Sequence, residues 1–265
     1  MTTLTTTANF GHVLRSESTK LRSLRSTWYT ALVTMVLGIG VGALSASAQA
    51  GAYHLGTAED RAAFDPTAVS LTSLIVAQLA IGVLGTLVIT SEYATGMVRT
   101  SLAAVPRRGR LLAAKGLTFA AVALVVGEII TFASFLIGQG FFAGAGVPHA
   151  ALDQPGVLRA VFGGGLYLVV IGLLGLGLGV LTRSTAGAIS LLVTLTLLVR
   201  PIAQALPEAW AQWMNRYWPS AAGERIITVL PDPDALAPWA GFGLLCGFVA
   251  AVLFAGYLLL RTRDA

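Results

Sequence analysis

Charge is scarce in this chain of 265 residues. Only 11% of the residues are charged, whereas 55% are hydrophobic. A soluble domain carries about 25% charged residues to cover its surface, so most of this exterior must face something other than water. A disordered chain is excluded as well, because disordered chains are polar. The composition therefore indicates a protein of the lipid bilayer.

Cysteine and histidine are equally scarce. The single cysteine, Cys246, has no partner for a disulfide within the chain, and His12, His54 and His149 lie too far apart in sequence to suggest a zinc site. The sequence also lacks the Gly-Lys-Ser/Thr of a P-loop, His-Glu-x-x-His and Gly-x-Ser-x-Gly. We therefore expect no enzyme activity, no metal and no cofactor in this chain.

Long apolar stretches dominate what is present, and a membrane-spanning helix needs about 20 such residues. Six stretches qualify: Trp28–Ser47, Ala68–Thr90, Leu111–Phe142, Val157–Leu181, Ala186–Leu206 and Pro238–Leu260. The third is long, and we expect it to break near Gly138, Gly140 and Gly144. The sequence predicts an all-α polytopic membrane protein, with a cytoplasmic segment over residues 1–27 and a single six-span domain over residues 28–265.

The distribution of Lys and Arg predicts the orientation, because cytoplasmic loops carry an excess of both. With six spans both termini share a side, and twelve of the 17 basic residues fall on it. The five on the other side are Arg61, Arg159, Arg200, Arg216 and Arg225. We expect a multi-pass protein of the plasma membrane with both termini cytoplasmic. Topology thus explains the net charge of +5 without a nucleic-acid partner.

Residues 10–27 predict an amphipathic helix that leads into the first span. Its apolar arc contains Phe10, Val13, Leu14, Leu21, Leu24 and Trp28. Glu17 falls inside the same arc, where a carboxylate is badly placed against acyl chains. Two interpretations stay open: a helix that lies on membrane lipid, and a helix whose Glu17 face contacts protein.

The segment Ser91–Arg110 predicts a coupling helix between the second and third spans. Ser91 is a suitable N-cap with Glu92 in the first turn, and Pro106 would stop the helix. Glu92 and Arg99 are seven residues apart and share a face. Such a helix would be a rigid lever for a cytoplasmic partner, whereas the alternative is an ordinary basic loop.

The outer segment Pro207–Ala237 predicts a short re-entrant helical region between the fifth and sixth spans. Trp210, Trp213 and Tyr217 recur at helical spacing, and a second apolar piece follows Pro219. An aromatic belt at the membrane surface is the alternative interpretation.

Glu128 is the only acid deep inside a predicted span, about 20 Å beyond Lys115. Ionisable groups at this depth usually face a bundle interior or a cavity. We expect it to line a translocation path or a dimer interface. The alternative is a protonated carboxyl group that hydrogen-bonds a neighbour such as Thr131 or a carbonyl and has only a structural role. Gln78 in the second span is a weaker candidate of the same kind.

Four stretches together resemble the permease subunits of ABC-2-type ABC transporters, of the small six-span type found in actinobacteria. They are Leu14–Trp28, Glu92–Arg99 continuing through Pro106 to Lys115, Gly179–Gly187, and Pro219–Gly223 with the terminal residues 263–265. The resemblance implies a separate ABC ATPase subunit that binds ATP and a second permease copy, identical or different. It also implies that the residues that contact or couple to the ATPase are Glu17, Glu92, Gly96, Arg99 and Arg107.

The resemblance favours export of a hydrophobic or amphipathic compound, such as a drug, an antibiotic or a lipid-like molecule. A second hypothesis is a transport-silent immunity or sensor component that anchors an ATPase. An intramembrane enzyme has little support, because no catalytic constellation is present.

Overall fold

The computed structural model describes residues 9–23, 25–98, 100, 107–230 and 232–262. Throughout these ranges the regular structure is helical and no strand occurs, which confirms the all-α prediction. The α-helices are α1 (Phe10–Ser23), α2 (Arg25–Ala52), α3 (Ala58–Ala62), α4 (Pro66–Ser70), α5 (Leu74–Thr95), α6 (Arg108–Gly144), α7 (Val157–Thr182), α8 (Thr185–Val193), α9 (Val199–Gln204), α10 (Glu208–Tyr217), α11 (Pro219–Gly223) and α12 (Pro238–Thr262).

Five helical segments in these ranges are long and apolar enough to cross a membrane. They are Trp28–Leu55, Pro66–Thr95, Arg108–Gly144, Val157–Thr182 and Pro238–Thr262. The second of them joins α4 to α5 through a short 3₁₀ turn, Leu71–Ser73. Five of the six predicted stretches are therefore candidate spans.

The predicted fifth span, Ala186–Leu206, is not confirmed as a crossing. Its apolar helix covers only Thr185–Leu198 and includes a π-helical turn at Thr194–Leu198 before α9 begins. Arg200 brings a charge to the end of the apolar run, and Pro201 removes one backbone N–H donor from the helix. Both residues lie within α9, Val199–Gln204, which follows the π-helical turn directly, so the backbone stays helical beyond the apolar helix.

Helix α6 runs without interruption over 37 residues, from Arg108 to Gly144. The predicted break near Gly138 and Gly140 is therefore wrong, although the helix does end at Gly144. A Cβ on Gly138 would overlap the Ser70 side chain, so this glycine allows close packing instead of breaking the helix. At 1.5 Å per residue α6 is about 55 Å long and exceeds the bilayer core of about 30 Å.

Helix α7 is the centre of the bundle. In its apolar 18-residue stretch 72% of the residues are buried, against 50% or less in the other candidate spans. Glycines bring it into backbone contact with α5, because a Cβ on Gly85 would overlap the Gly172 carbonyl oxygen and one on Gly175 would overlap the Gly82 carbonyl oxygen. The glycine-rich fourth stretch thus packs within the subunit, as small residues allow in membrane helices.

The outer segment divides into an exposed part and a buried part. Trp210 and Trp213 of α10 are exposed. In contrast, Ala222 of α11 and Ile226 of the following 3₁₀ turn are fully buried against the bundle. The second piece is therefore held by protein contacts with α7 and α12.

Candidate functional site

Four charged side chains from three distant segments meet at one end of the bundle. Lys115 Nζ, on α6, donates to Glu17 Oε2 of α1 at 2.8 Å and to Glu92 Oε1 of α5 at 2.6 Å. Lys20 Nζ, on α1, lies 3.0 Å from Glu17 Oε1 and 3.3 Å from Glu92 Oε1. We refer to Glu17, Lys20, Glu92 and Lys115 as the ion cluster.

Three members of the ion cluster are almost completely buried. Lys115 is 2% exposed, Glu17 5% and Glu92 8%, whereas about a third of the Lys20 side chain remains exposed. Buried charges are costly unless they are paired and hydrogen-bonded. Two carboxylates and two ammonium groups balance here, so the cluster has no net charge. Removing any one member would leave a buried charge without its partner.

Apolar packing brings these charges together. Val13, one turn before Glu17 on α1, packs with Leu111, one turn before Lys115 on α6, and with Ala114. All three apolar residues are buried. The face of α1 that carries Glu17 therefore contacts protein, and of the two interpretations left open by the sequence this geometry favours protein contact.

The carboxylates of Glu17 and Glu92 raise the pKa of Lys20. Burial by itself would lower its pKa, but the hydrogen bonds and negative charges of Glu17 and Glu92 outweigh burial and raise the pKa above its ordinary value of 10.5. Lys20 therefore stays protonated at neutral pH and completes the charge balance of the ion cluster.

The ion cluster fastens α1 to the last turns of α5 and the first turns of α6. A displacement of α1 would therefore be transmitted to two candidate spans at once. In the described part of the chain no group of three His, Cys, Asp or Glu side chains could hold a metal ion. The arrangement is an electrostatic joint between helices.

Two of the five residues predicted to couple to an ATPase lie in the ion cluster, two lie outside it, and one lies outside the described residues. Glu17 and Glu92 belong to the ion cluster, so their side chains contact lysines of this chain. Gly96 ends α5 in the left-handed conformation, with φ 71°, which glycine adopts without steric cost. Arg107 is exposed immediately before α6. Arg99 lies outside the described residues.

Ser91 does not start a separate helix, so the predicted cap is wrong. It lies inside α5, and its Oγ donates to the Leu87 carbonyl at 2.6 Å. The hydrogen-bond ladder of α5 continues to Thr95, so the last turn of this helix occupies the place of the predicted first turn of the lever. A distinct coupling helix is not confirmed, since residues 101–106 lie outside the described ranges.

Gln78 lines a crevice of about 410 Å³ near the outer segment. It is 3% exposed, and its Oε1 accepts a hydrogen bond of 2.8 Å from the Tyr167 hydroxyl. The same hydroxyl lies 3.3 Å from Glu224 Oε1, next to α11. Sequence reasoning missed Tyr167 and Glu224, because nothing local in either segment indicates that they meet Gln78.

Glu128 packs its carboxyl group against Gly165 of α7, where a Cβ would overlap it. Among the residues that the structure describes, neither carboxylate oxygen has a hydrogen-bond partner. Thr131 Oγ1 donates to the backbone carbonyl of Glu128 at 3.2 Å. The predicted bond from Thr131 to the carboxyl group is therefore not formed, because the helix carbonyl takes this donor.

Comparison with known proteins identifies one family. The family model described as ABC-2 family transporter protein matches residues 12–265 of this sequence. It thus covers α1 from its third residue, every helix of the bundle and all four members of the ion cluster. The comparison with curated proteins gave no match.

Proposed function

Because the chain belongs to the ABC-2 family of transporter proteins, and is thus a multi-pass membrane permease of an ABC transporter, we propose that it exports a hydrophobic or amphipathic compound. Drugs, antibiotics and lipid-like molecules are the substrate classes. The chain is not itself an enzyme in this proposal: ATP binds the ABC ATPase subunit with which permeases of this family associate.

The ion cluster is the observation that carries the mechanism. An ATPase that pushes on α1 from the cytoplasm would also move α5 and α6, because Lys115 binds the carboxylates of both other helices. Closure of two ATPases around ATP would then rock two permease copies between inward-facing and outward-facing states. In this arrangement both termini are cytoplasmic, the protein resides in the plasma membrane, and the working unit contains a second copy.

The substrate class is supported by the crevice around Gln78. It offers an amide, a tyrosine hydroxyl and the Glu224 carboxyl group beside apolar side chains such as Leu71 and Ile75. A polar group on an otherwise apolar compound would find hydrogen-bond partners there without crossing open hydrocarbon.

Inside-out vesicles test this proposal. Vesicles that contain the permease with the ATPase from its host membranes should accumulate ethidium or a fluorescent phospholipid when ATP is added. Vesicles with ATPase alone are the control. A transport-silent anchor would bind the ATPase and show no ATP-dependent flux of either probe, which would refute export of these two classes.

A further inference from the structure

A second, separate feature lies where the start of α6 meets the end of α12. A pocket of about 690 Å³ opens there. Its lining residues are Arg107, Arg108, Gly109, Arg110, Tyr257 and Arg261. We call it the arginine pocket.

The arginine pocket is strongly positive. Four of its six lining residues are arginines, and none of the six is acidic. The first turn of α6 also lies in its wall, and the N–H groups of a helix start without intrahelical partners add to the positive potential. Arginine is well suited to phosphate, because its planar guanidinium group donates two parallel hydrogen bonds.

The walls of the pocket are fixed by contacts between the two helices. The Arg108 guanidinium donates to the Leu260 backbone carbonyl and so ties the start of α6 to the end of α12. A Cβ on Gly109 would lie 3.0 Å from the Tyr257 ring, so the ring lies almost directly on the α6 backbone. The Arg261 guanidinium lies 5.7 Å from the centre of that ring. Contacts between α6 and α12 therefore determine the shape of the arginine pocket.

An apolar stripe leads into the arginine pocket along α12. Phe254 and Leu258 are 60% and 44% exposed. Together with Tyr257 and Arg261 they occupy positions i, i+4, i+3 and i+7 of one helix face. An occupant that uses both features must carry a negative head and an apolar tail.

We propose that the arginine pocket binds the phosphate of an anionic phospholipid. Arg107, Arg110 and Arg261 contact the headgroup, and an acyl chain follows Phe254 and Leu258. An acidic surface of the ATPase would match the arginines but would leave the apolar stripe unused, so lipid fits more of the site. Basic pockets between membrane helices bind anionic headgroups in this way. The proposal does not depend on transport, because the six lining residues named above all belong to the permease.

Titration of the purified permease in detergent with a fluorescent-tailed phosphatidylglycerol tests the proposal. Removing a basic residue near a membrane surface weakens anionic-lipid binding by about 1 kcal/mol, or about fivefold. Arg107→Gln with Arg261→Gln should therefore weaken binding roughly 25-fold. Arg108 is left unchanged, since its bond to Leu260 also holds the helices together.

The matched control is Arg15→Gln with Arg216→Gln, which removes the same charge from exposed positions outside the pocket. It should bind phosphatidylglycerol like the unmodified protein, and phosphatidylcholine should bind weakly to every variant.

Three results would overturn the proposal: equal loss in the control, equal binding of phosphatidylcholine, or inorganic phosphate binding as tightly as the lipid. Unchanged lipid binding with loss of the co-purifying ATPase would overturn it as well and would assign the arginines to the ATPase. Failure of vesicle export alone would leave lipid binding intact, so the two proposals fail separately.

Discussion

Replacing Lys115 with methionine removes the member of the ion cluster that joins all three helices. Methionine keeps much of the side-chain length and carries no charge. Glu17 and Glu92 would then share the single ammonium group of Lys20, and the cluster would change from neutral to a net charge of −1. Breaking a buried ion pair by removing one partner costs about 3–5 kcal/mol, because the remaining charge stays buried without compensation.

The cost should fall on the attachment of α1 before it reaches the whole fold. Helix α1 lies at the edge of the bundle, whereas α7 is enclosed by it, and proteins open locally where few contacts hold a segment. At 1.4 kcal/mol per factor of ten, detachment of α1 should become at least about 100-fold more frequent. Hydrogen exchange measured by mass spectrometry should show faster exchange across Phe10–Ser23 and unchanged protection across Val157–Thr182.

A second variant separates charge balance from packing. Adding Glu92→Gln to Lys115→Met leaves one carboxylate, on Glu17, opposite one ammonium group, on Lys20. Most of the lost protection should return in this double variant, because the cluster is neutral again. If Lys115→Met alone leaves exchange in α1 within about threefold of the unmodified protein, the ion cluster does not hold α1 and the reasoning fails.

Three further predictions concern packing, pH and the crevice. Gly85→Ala should lower stability in detergent unfolding by about 1–3 kcal/mol or more, since the methyl group meets a backbone carbonyl of α7; Gly140→Ala, where a Cβ meets nothing within 4 Å, should be neutral or slightly stabilising. The raised pKa of Lys20 contributes stability below its unfolded value of 10.5 and loses it as pH rises through the folded value. The difference in unfolding midpoint between the unmodified protein and Lys20→Met should therefore be constant near neutral pH and shrink in strong alkali; a difference that shrank near neutral pH instead would contradict this sign. Tyr167→Phe should cost about 1–3 kcal/mol, because the buried Gln78 oxygen loses its donor, and an unchanged unfolding midpoint would show that another donor replaces it.

The sequence predicts the helical bundle well because long apolar runs have only one stable form in lipid. It also indicates that the Glu17 face is unusual, since a carboxylate breaks the apolar arc of α1. The partner of Glu17 could not be predicted in the same way. Lys115 is 98 residues away in sequence, and no spacing pattern pairs it with Glu17. Two opposite charges at the same membrane depth were the one available signal.

Helix ends were harder to predict than helices. Ser91 has the residue type of an N-cap, yet it lies inside α5, where its hydroxyl donates to the Leu87 carbonyl. In the fifth apolar stretch the regular α-helix gives way to a π-helical turn at Thr194–Leu198, which hydropathy alone does not predict. The crevice around Gln78 depends on Tyr167, which is 89 residues away. Contacts of this range arise from how the helices pack and leave no periodic trace in sequence.

Transport per ATP hydrolysed tests the central claim most directly, namely that the ion cluster couples the ATPase to the membrane helices. Vesicles with equal amounts of bound ATPase would be compared for the unmodified protein, Lys115→Met, and Lys115→Met with Glu92→Gln. We predict that Lys115→Met still hydrolyses ATP but transports far less per ATP, and that the double variant recovers much of the ratio. An unchanged ratio of transport to hydrolysis in Lys115→Met would contradict the account.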